Sequence, residues 1–498
     1  MELNFENKTS TVYRRLAHQT VKDPFSMELI VPDGNEDIAG ILTVRAMPLL
    51  KSKELTSSGV QVSGELQSVL FYIEEGGKKT AVLAFTRPFV LEFAVPEMEL
   101  DLTAQVRLSI GGTEARALNP RKVSVTCEIL GELDLYQRNE ITVETCLPDT
   151  PQRFHVQMAE IPASTIALVS EKTFVINEQC SFPPDQPIPE RLLSQELQYT
   201  AITTQQIGKR LIVKGELELK LLYNAESSAA PLESLFCIPF SQLLDADCDV
   251  DQCIISIQTT STYLDLITAI SGERALDLEI HALLQATGYQ QRHIRYVEDA
   301  YSNSFPVRCC CEEREAEQVS SVKQLYLRGE TQLETGDSDA ELLYTFVSPG
   351  LVAGEDDKME AVLNAVFLFQ DQNGSLAASR RSISLTGETL PGQILWTDSE
   401  TAELSVTRQE DRLVCEGTMG ILVLSSEKKR FTAVTGLEEE EEDAQVSAII
   451  PSVTLVRTEG ESLWQLAKQY HSSVESITAL NDLSAHQPGE MLLIPREY

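Results

Sequence analysis

The sequence predicts a mostly β protein, with tandem antiparallel β-sandwich-like domains followed by a small βααβ module. Three observations lead there. A long block of the chain recurs in a fixed register. Apolar and polar residues alternate over most of its length. Near the end, the apolar period changes from that of a strand to that of a helix.

The recurrence comes first. GVQVSGELQSVLFY from Gly59 and KRLIVKGELELKLLY from Lys209 align without a gap. A shift of 151 positions carries Val62 onto Val213, Gly64 onto Gly215, Glu65 onto Glu216, Leu66 onto Leu217, Leu70 onto Leu221 and Tyr72 onto Tyr223. Upstream, the same shift carries Pro32 onto Pro183 and Leu42 onto Leu193. A third, more divergent copy is MEAVLNAVFLFQ from Met359, where Leu363, Phe367, Leu368 and Phe369 take the places of Leu217, Leu221, Leu222 and Tyr223. Self-similarity of this kind marks a repeated structural unit.

Each copy continues in the same style. QVRLSIGGTEARALNPRKVSVTCEILGELDLY from Gln105, YLDLITAISGERALDLEIHALLQATGY from Tyr263 and AELSVTRQEDRLVCEGTMGILVLS from Ala402 alternate around Gly-Gly, Ser-Gly or Gln-Glu-Asp turns. That pattern predicts half-buried strands, about six to eight per copy, packed as a sandwich. The glycine of Gly-Glu-Leu reads as a bulge or a close backbone approach rather than a functional signature.

The resulting division is an N-terminal arm over 1–25, a first β domain over 26–147, and a linker plus second β domain over 148–308. A divergent third β domain over 309–436, an acidic linker over 437–451 and the tail module over 452–498 follow. The arm is less acidic than the rest, with Lys8, Arg14, Arg15 and Lys22, and suits a helix or a docking segment. PDTPQRF from Pro148, SFPPDQPIP from Ser181, CCCEEREAEQ from Cys309 and LEEEEEDAQ from Leu437 mark the connections. The glutamate run repels itself and reads as an extended, solvated spacer.

The chain has 76 acidic and 40 basic residues, for a net charge of −36. Such a field repels phosphate, which argues against nucleic acid and anionic membranes and favours a basic or mixed-charge protein partner. No export signal and no membrane-length apolar run are read, so the expected location is the cytosol. The ten cysteines include no C-x-x-C, and Cys309, Cys310 and Cys311 alternate faces on a strand, so no metal site is expected. The six histidines are scattered. No phosphate-binding loop, nucleophile elbow or zinc-protease motif is found, so neither catalysis nor a cofactor is expected.

In the tail, VTLVRT from Val453 and MLLIP from Met491 read as short strands around two helices. Ser462 with Gln465 forms a capping box for the first helix, whose Leu463, Leu466, Ala467 and Tyr470 share one face. Ser472 with Glu475 repeats the pattern for the second helix, and Asn481 is placed to end it in a left-handed conformation. These residues resemble a LysM domain, through Glu459-Gly460-Glu461-Ser462-Leu463, Ile477, Ala479-Leu480-Asn481 and Pro488-Gly489-Glu490-Met491-Leu492-Leu493-Ile494-Pro495.

That resemblance implies a groove for N-acetylglucosamine chains between two loops. By position the groove is formed by Glu459, Gly460, Glu461 and Ser462 on one side, and by Asn481, Asp482, Leu483 and Gly489 on the other. Glu461 stands where the family commonly has aspartate, and the second loop is short. Trp464 lies one residue off the apolar stripe, where it either packs at the module's edge or anchors a partner.

The blocks Pro32, Gly64-Glu65-Leu66 and Asn119-Pro120-Arg121-Lys122-Val123 resemble the SPOCS domain of clostridial sporulation proteins, as do Pro183, Gly215-Glu216-Leu217 and Tyr223. The second copy lacks the Asn-Pro-Arg-Lys block, with Ser271-Gly272-Glu273-Arg274 in its place, and the third lacks Gly-Glu-Leu. SPOCS repeats ending in one LysM domain resemble the SipL family. The resemblance implies a non-catalytic adaptor of the spore coat, made in the mother cell, that docks a coat morphogenetic ATPase at the forespore surface. The LysM module then serves protein binding, with peptidoglycan as the alternative ligand.

Overall fold

In the computed structural model, the described residues are 6–95, 101–146, 154–225, 231–246, 253–268, 274–303, 305–319, 322–334, 340–355, 358–388, 393–409, 412–439, 452–481 and 491–496. The fold is mostly β, and among the described residues the short helices lie in the tail. The first copy consists of β1 (Glu6–Ile30), β2 (Ile38–Thr56), β3 (Gly59–Glu74), β4 (Thr80–Ala94), β5 (Leu102–Asn119) and β6 (Lys122–Cys146). The second repeats the order with β7 (Phe154–Ser181), β8 (Arg191–Ile207), β9 (Arg210–Asn224), β10 (Leu232–Asp245), β11 (Cys253–Thr268) and β12 (Ala275–Ser302). The third comprises β13 (Val307–Val319), β14 (Lys323–Glu334), β15 (Glu341–Glu355), β16 (Lys358–Gln370), β17 (Leu376–Glu388), β18 (Gln393–Gln409) and β19 (Arg412–Glu439).

Every copy is built as two packed layers. In the first, β2-β3-β4 faces β1-β6-β5, and in the second, β8-β9-β10 faces β7-β12-β11. In the third, β15-β16-β17 faces a layer in which β13 and β14 pair in succession with the long β19, with β18 on its other edge, and β14 also pairs with β17 at Arg328↔Thr386, so the two layers are joined into one seven-stranded sheet. The third copy has an extra strand because its first strand is divided in two. Alternate residues fill each interior: Val62, Leu66, Leu70 and Tyr72 in the first, Val213, Leu217, Leu221 and Tyr223 in the second, and Leu363, Phe367 and Phe369 in the third.

The alternation breaks at one place in each copy, and the break has a structural cause. Phe71 and Ile73, Leu222, and Val366 and Leu368 point away from their own sandwiches into a shared core with Leu42, Leu193 and Phe346. Phe71, Leu222 and Leu368 occupy matching positions of the three copies. These strands are buried on both faces, which is why Val69–Ile73 and Val366–Phe369 read as continuous apolar runs. Near that core, Arg45 on β2 pairs with Glu196 on β8, its own counterpart 151 positions on, and lies over the Phe346 ring at 5.5 Å. A second seam joins β1 to β7 at Tyr13↔Ile166, making one six-stranded sheet across two copies.

The repeated glycines sit opposite bulges. The β2–β3 register slips between Leu50 and Ser52, beside Gly64, and the β8–β9 register slips between Thr200 and Thr203, beside Gly215. A Cβ on Gly64 would meet the Phe89 ring and sit 2.6 Å from the Leu49 carbonyl oxygen, and one on Gly215 would lie 2.8 Å from Phe240. The third copy keeps the slip, between Pro349 and Val352, but Ala361 there faces Leu385 instead of a phenylalanine. Losing the ring is what admits the methyl group.

Several sequence expectations change. Residues 6–30 are not a separate arm or a helix: they form β1, paired along its length with β6. One of its basic residues, Arg15, answers Asp134 on β6 at 3.6 Å, while Val12, Phe25 and Leu29 are buried. Phe154–Ser181 is the first strand of the second sandwich, and SFPPDQPIP is the turn after it, with Gln186 N–H donating to Pro183 O. CCCEEREAEQ is strand β13 rather than a connection, and Leu437–Glu439 completes β19, with Leu437 buried. The remainder of the acidic run lies outside the described residues.

The second copy also retains part of the block it was expected to lack. Arg121 accepts from Val31 N–H and donates to Pro32 O at 3.0 Å. Arg274 likewise accepts from Phe182 N–H and donates to Pro183 O at 2.5 Å. The arginine that ties down the proline turn is therefore present in both, displaced by two positions in sequence.

Candidate functional site

The tail module comprises β20 (Val453–Arg457), α1 (Leu463–Tyr470), α2 (Val474–Asn481) and β21 (Met491–Pro495). β20 and β21 pair antiparallel, from Val453↔Pro495 to Arg457↔Met491. Leu466, Ala467, Ile477, Leu492 and Ile494 are buried between the helices and this ribbon.

The first loop is held by its own polar groups. Glu459 N–H donates to the Glu461 carboxylate at 2.7 Å, and Gly460 takes a φ of 115° that other residues rarely adopt. Backbone N–H bonds from Glu459 and from Glu461 itself hold the Glu461 carboxyl below its ordinary range. The Ser462–Gln465 capping box forms in both directions, at 3.2 and 2.8 Å. Helix α1 ends in a left-handed residue, His471, with φ 52°.

Two details of α2 differ from expectation. Its cap is Ser473, whose Oγ accepts from Ser476 N–H at 3.2 Å, and Ser472 is wholly buried beneath it. Asn481 does not adopt the left-handed conformation. Its side chain instead donates to Ile477 O and Leu493 O and accepts from Leu493 N–H, tying α2 to β21. Asparagine suits this because it can donate and accept at once. Asp482, Leu483 and Gly489 lie outside the described residues, so one wall of the expected groove is described.

Trp464 is committed to a role within the chain. Its Nε1–H donates to Asp299 Oδ2 at 2.9 Å, and Lys468, one turn on, meets the same carboxylate at 2.6 and 2.8 Å. Its ring stands edge-on to Tyr301 at 4.9 Å. The Tyr301 hydroxyl donates to Ser472 O at 2.8 Å, and its ring stacks on His155 at 4.9 Å. Tyr301 is 4% exposed and belongs to the module's own apolar core. Burial opposes ionisation of Asp299, but the bonds from Lys468 and Trp464 outweigh it and keep the carboxyl below its ordinary range.

The far end of β12 thus supplies Asp299 and Tyr301 to a module that follows it by more than 150 residues. Sequence reasoning missed both. The one available signal was Trp464 itself, an indole off the helix's buried stripe whose N–H needs an acceptor.

Residues 458–495 match the LysM domain family. The match covers the tail alone. No curated protein and no solved structure matches the chain. The LysM assignment makes the tail a binding module, for carbohydrate or for protein. Of its expected site residues, Glu459, Gly460, Glu461 and Ser462 form one ordered loop, while Trp464 and Asn481 are occupied by contacts inside the chain. Among the described residues no group of His, Cys, Asp and Glu is arranged to hold a metal ion, and no helix is long and apolar enough to cross a membrane.

Proposed function

We propose that the chain is a non-catalytic structural adaptor of the spore envelope. It works in the mother-cell cytoplasm and docks a coat morphogenetic ATPase at the forespore surface, with the LysM module as a protein-binding element. The observation that carries this reading is the clamp on Asp299. It seats the module on the second sandwich, so the module and the sandwiches present their surfaces in a fixed relation. A ligand that touches several such surfaces gains from their effective concentration. The resemblance of the repeats to SPOCS domains supplies the cellular setting.

The alternative ligand is peptidoglycan, favoured by the solvent-facing, preorganised loop Glu459–Ser462. Affinity capture from sporulating cells, using the chain with and without residues 452–498, tests the first reading. A coat ATPase recovered only with the complete chain supports it, and equal recovery without the tail rules out docking by the module. Titration of the full chain with chitin oligomers tests the second, and saturable heat decides in its favour.

A further inference from the structure

The two-stranded ribbon of the tail module has one covered edge and one open edge. In its antiparallel register Leu455 faces Leu493. The N–H and C=O of Leu493 both bond to the Asn481 side chain, so they point away from β20. In an antiparallel ladder, facing residues alternate between pairs that bond each other and pairs that do not. Leu455↔Leu493 is therefore of the second kind, and the N–H and C=O of Leu455 point outward on the free side of β20. The same parity turns the backbone of Val453 and Arg457 outward. Two observations fit this phase: Arg496 N–H donates to Ser452 O at 2.9 Å, and Pro495, which has no N–H, faces Val453. Asn481 thus covers the outer edge of β21 at Leu493. Among the described residues no group bonds the outward N–H or C=O of Val453, Leu455 or Arg457.

The face beside that open edge is apolar. Val453 is 46%, Leu455 58%, Met491 54% and Leu493 41% exposed. The register puts them with Pro495 on one side of the ribbon, opposite the side where Val456, Leu492 and Ile494 pack on the helices. A contiguous exposed apolar group of this kind marks a contact surface. Natural edge strands are blunted by lysine, proline or a bulge. β20 has no lysine, no proline and no bulge. Its one charged side chain, Arg457, shares the apolar side and ends the stripe. It is exposed and has no carboxylate within ion-pair distance among the described residues, in a chain with 76 acidic side chains.

We propose that β20 is a docking edge for an extended segment of a partner protein, which adds antiparallel to it as a third strand of the ribbon. Leu455 then exchanges both backbone bonds with the residue opposite, and Val453 and Arg457 do the same with the residues two places to either side. The partner's side chains at those three positions extend the apolar face. The one opposite Arg457 is acidic, because a carboxylate matches the free guanidinium in charge and geometry. The ones opposite Leu455 and Val453 are apolar. Since the strands run in opposite directions, the partner segment reads acidic, any residue, apolar, any residue, apolar from its N-terminal end. The proposal gives the protein-binding reading of the module its contact surface, and rests on that reading.

The test is selection of a random twelve-residue peptide library on the immobilised full chain and, in parallel, on Leu455→Pro and on Arg457→Glu. Proline at 455 removes an outward N–H and leaves the bonds of Thr454 and Val456 to β21 in place, so the module is expected to fold. Hydrogen exchange at Leu492 and Ile494 checks this, and Arg457→Glu, at an exposed position, keeps the test decisive if proline loosens the ribbon. The expected result is enrichment of the acidic and apolar pattern on the unaltered chain, with recovery at least ~10-fold lower on Leu455→Pro, a loss of about 1.4 kcal/mol. On Arg457→Glu the acidic position is expected to turn to lysine or arginine. No enrichment of the pattern, equal recovery on a folded Leu455→Pro, or an acidic position that persists on Arg457→Glu overturns the proposal. Capture from sporulating cells separates this failure from that of the wider reading. An ATPase lost with residues 452–498 but kept by Leu455→Pro overturns the edge and leaves the module a protein-binding element.

Discussion

Trp464 and Asp299 lie 165 positions apart and are joined by an indole hydrogen bond of 2.9 Å. The bond forms because β12 runs past the edge of its own sandwich and carries Asp299 and Tyr301 out to helix α1. One carboxylate there serves two donors, Trp464 and Lys468, so the clamp is a small network rather than a lone surface pair.

Asp299→Asn is expected to weaken the clamp by about 1–2 kcal/mol, a range set by partial exposure of the carboxylate and the lysine. Trp464→Ala loses the ring contact with Tyr301 as well and is expected to release the module more fully. Limited proteolysis between residues 440 and 451 reports release. Faster cleavage in both variants, with the sandwiches intact, is the expected pattern, and unchanged cleavage would show that the clamp does not hold the module.

The pH dependence follows from the same carboxylate. Its pKa in the folded chain is depressed, so its contribution is fully present above the unfolded value of about 3.9 and is lost as pH falls through the folded one. The module is therefore expected to stay seated at pH 5 and to loosen below about pH 4. His18 behaves oppositely. Its ring N–H donates to the Asp134 carboxylate, which raises its pKa above 6.5, so that contact is present below 6.5 and fades as pH rises through the raised value. Nuclear magnetic resonance titration of the His18 ring, with a midpoint above 6.5, checks the sign.

Strands and the capping box of α1 were legible in the sequence because they depend on neighbours and on a period of two or of about 3.6. The paired bulge glycines were legible as structure because the repeat displayed them twice. What could not be read was anything set by which copy meets which. The role of β1 was hidden because its partner strand, β6, lies a hundred residues away in sequence. Phe71, Leu222 and Leu368 looked like ordinary core, although their faces meet at a junction of three sandwiches. Trp464 left packing at the module's edge and anchoring a partner equally open, and nothing in the sequence pointed to Asp299 as its acceptor.

The glycine argument makes a reciprocal prediction. Gly215→Ala places a methyl 2.8 Å from Phe240 and 3.2 Å from Thr200 O, and is expected to cost about 1–3 kcal/mol through overpacking. Adding Phe240→Leu recreates the third copy's pairing of Ala361 with Leu385, and should recover part of the loss. Urea unfolding of the single and double variants measures this coupling. Strict additivity of the two changes would show that the ring is not what demands glycine.

The shared core predicts that damage at one copy spreads to the others. Phe71→Ala removes a ring that is 1% exposed and lies 5.0 Å from the Phe346 ring of the third copy. The expected cost is about 3–5 kcal/mol, with Leu222→Ala or Leu368→Ala costing about 2–5. Hydrogen exchange should then rise in all three copies, at β3, β9 and β16. Exchange confined to the copy that carries the substitution would mean the sandwiches fold independently of this junction.

Thiol reactivity gives a test that needs no truncation. Burial pushes the Cys127 and Cys180 thiols up to about 11, so both are expected to resist alkylation at pH 8. Cys237 and Cys311 are exposed and should react first. Cys309 is the informative one. Burial raises its pKa, and its Sγ lies 3.2 Å from Ala300 O beside the Asp299 clamp. Seating of the module should protect it, and Asp299→Asn should speed its alkylation several-fold while Cys127 and Cys180 stay inert. Peptide mapping after timed alkylation resolves each position. A Cys309 rate that does not change in the variant would place the thiol outside the region the clamp protects.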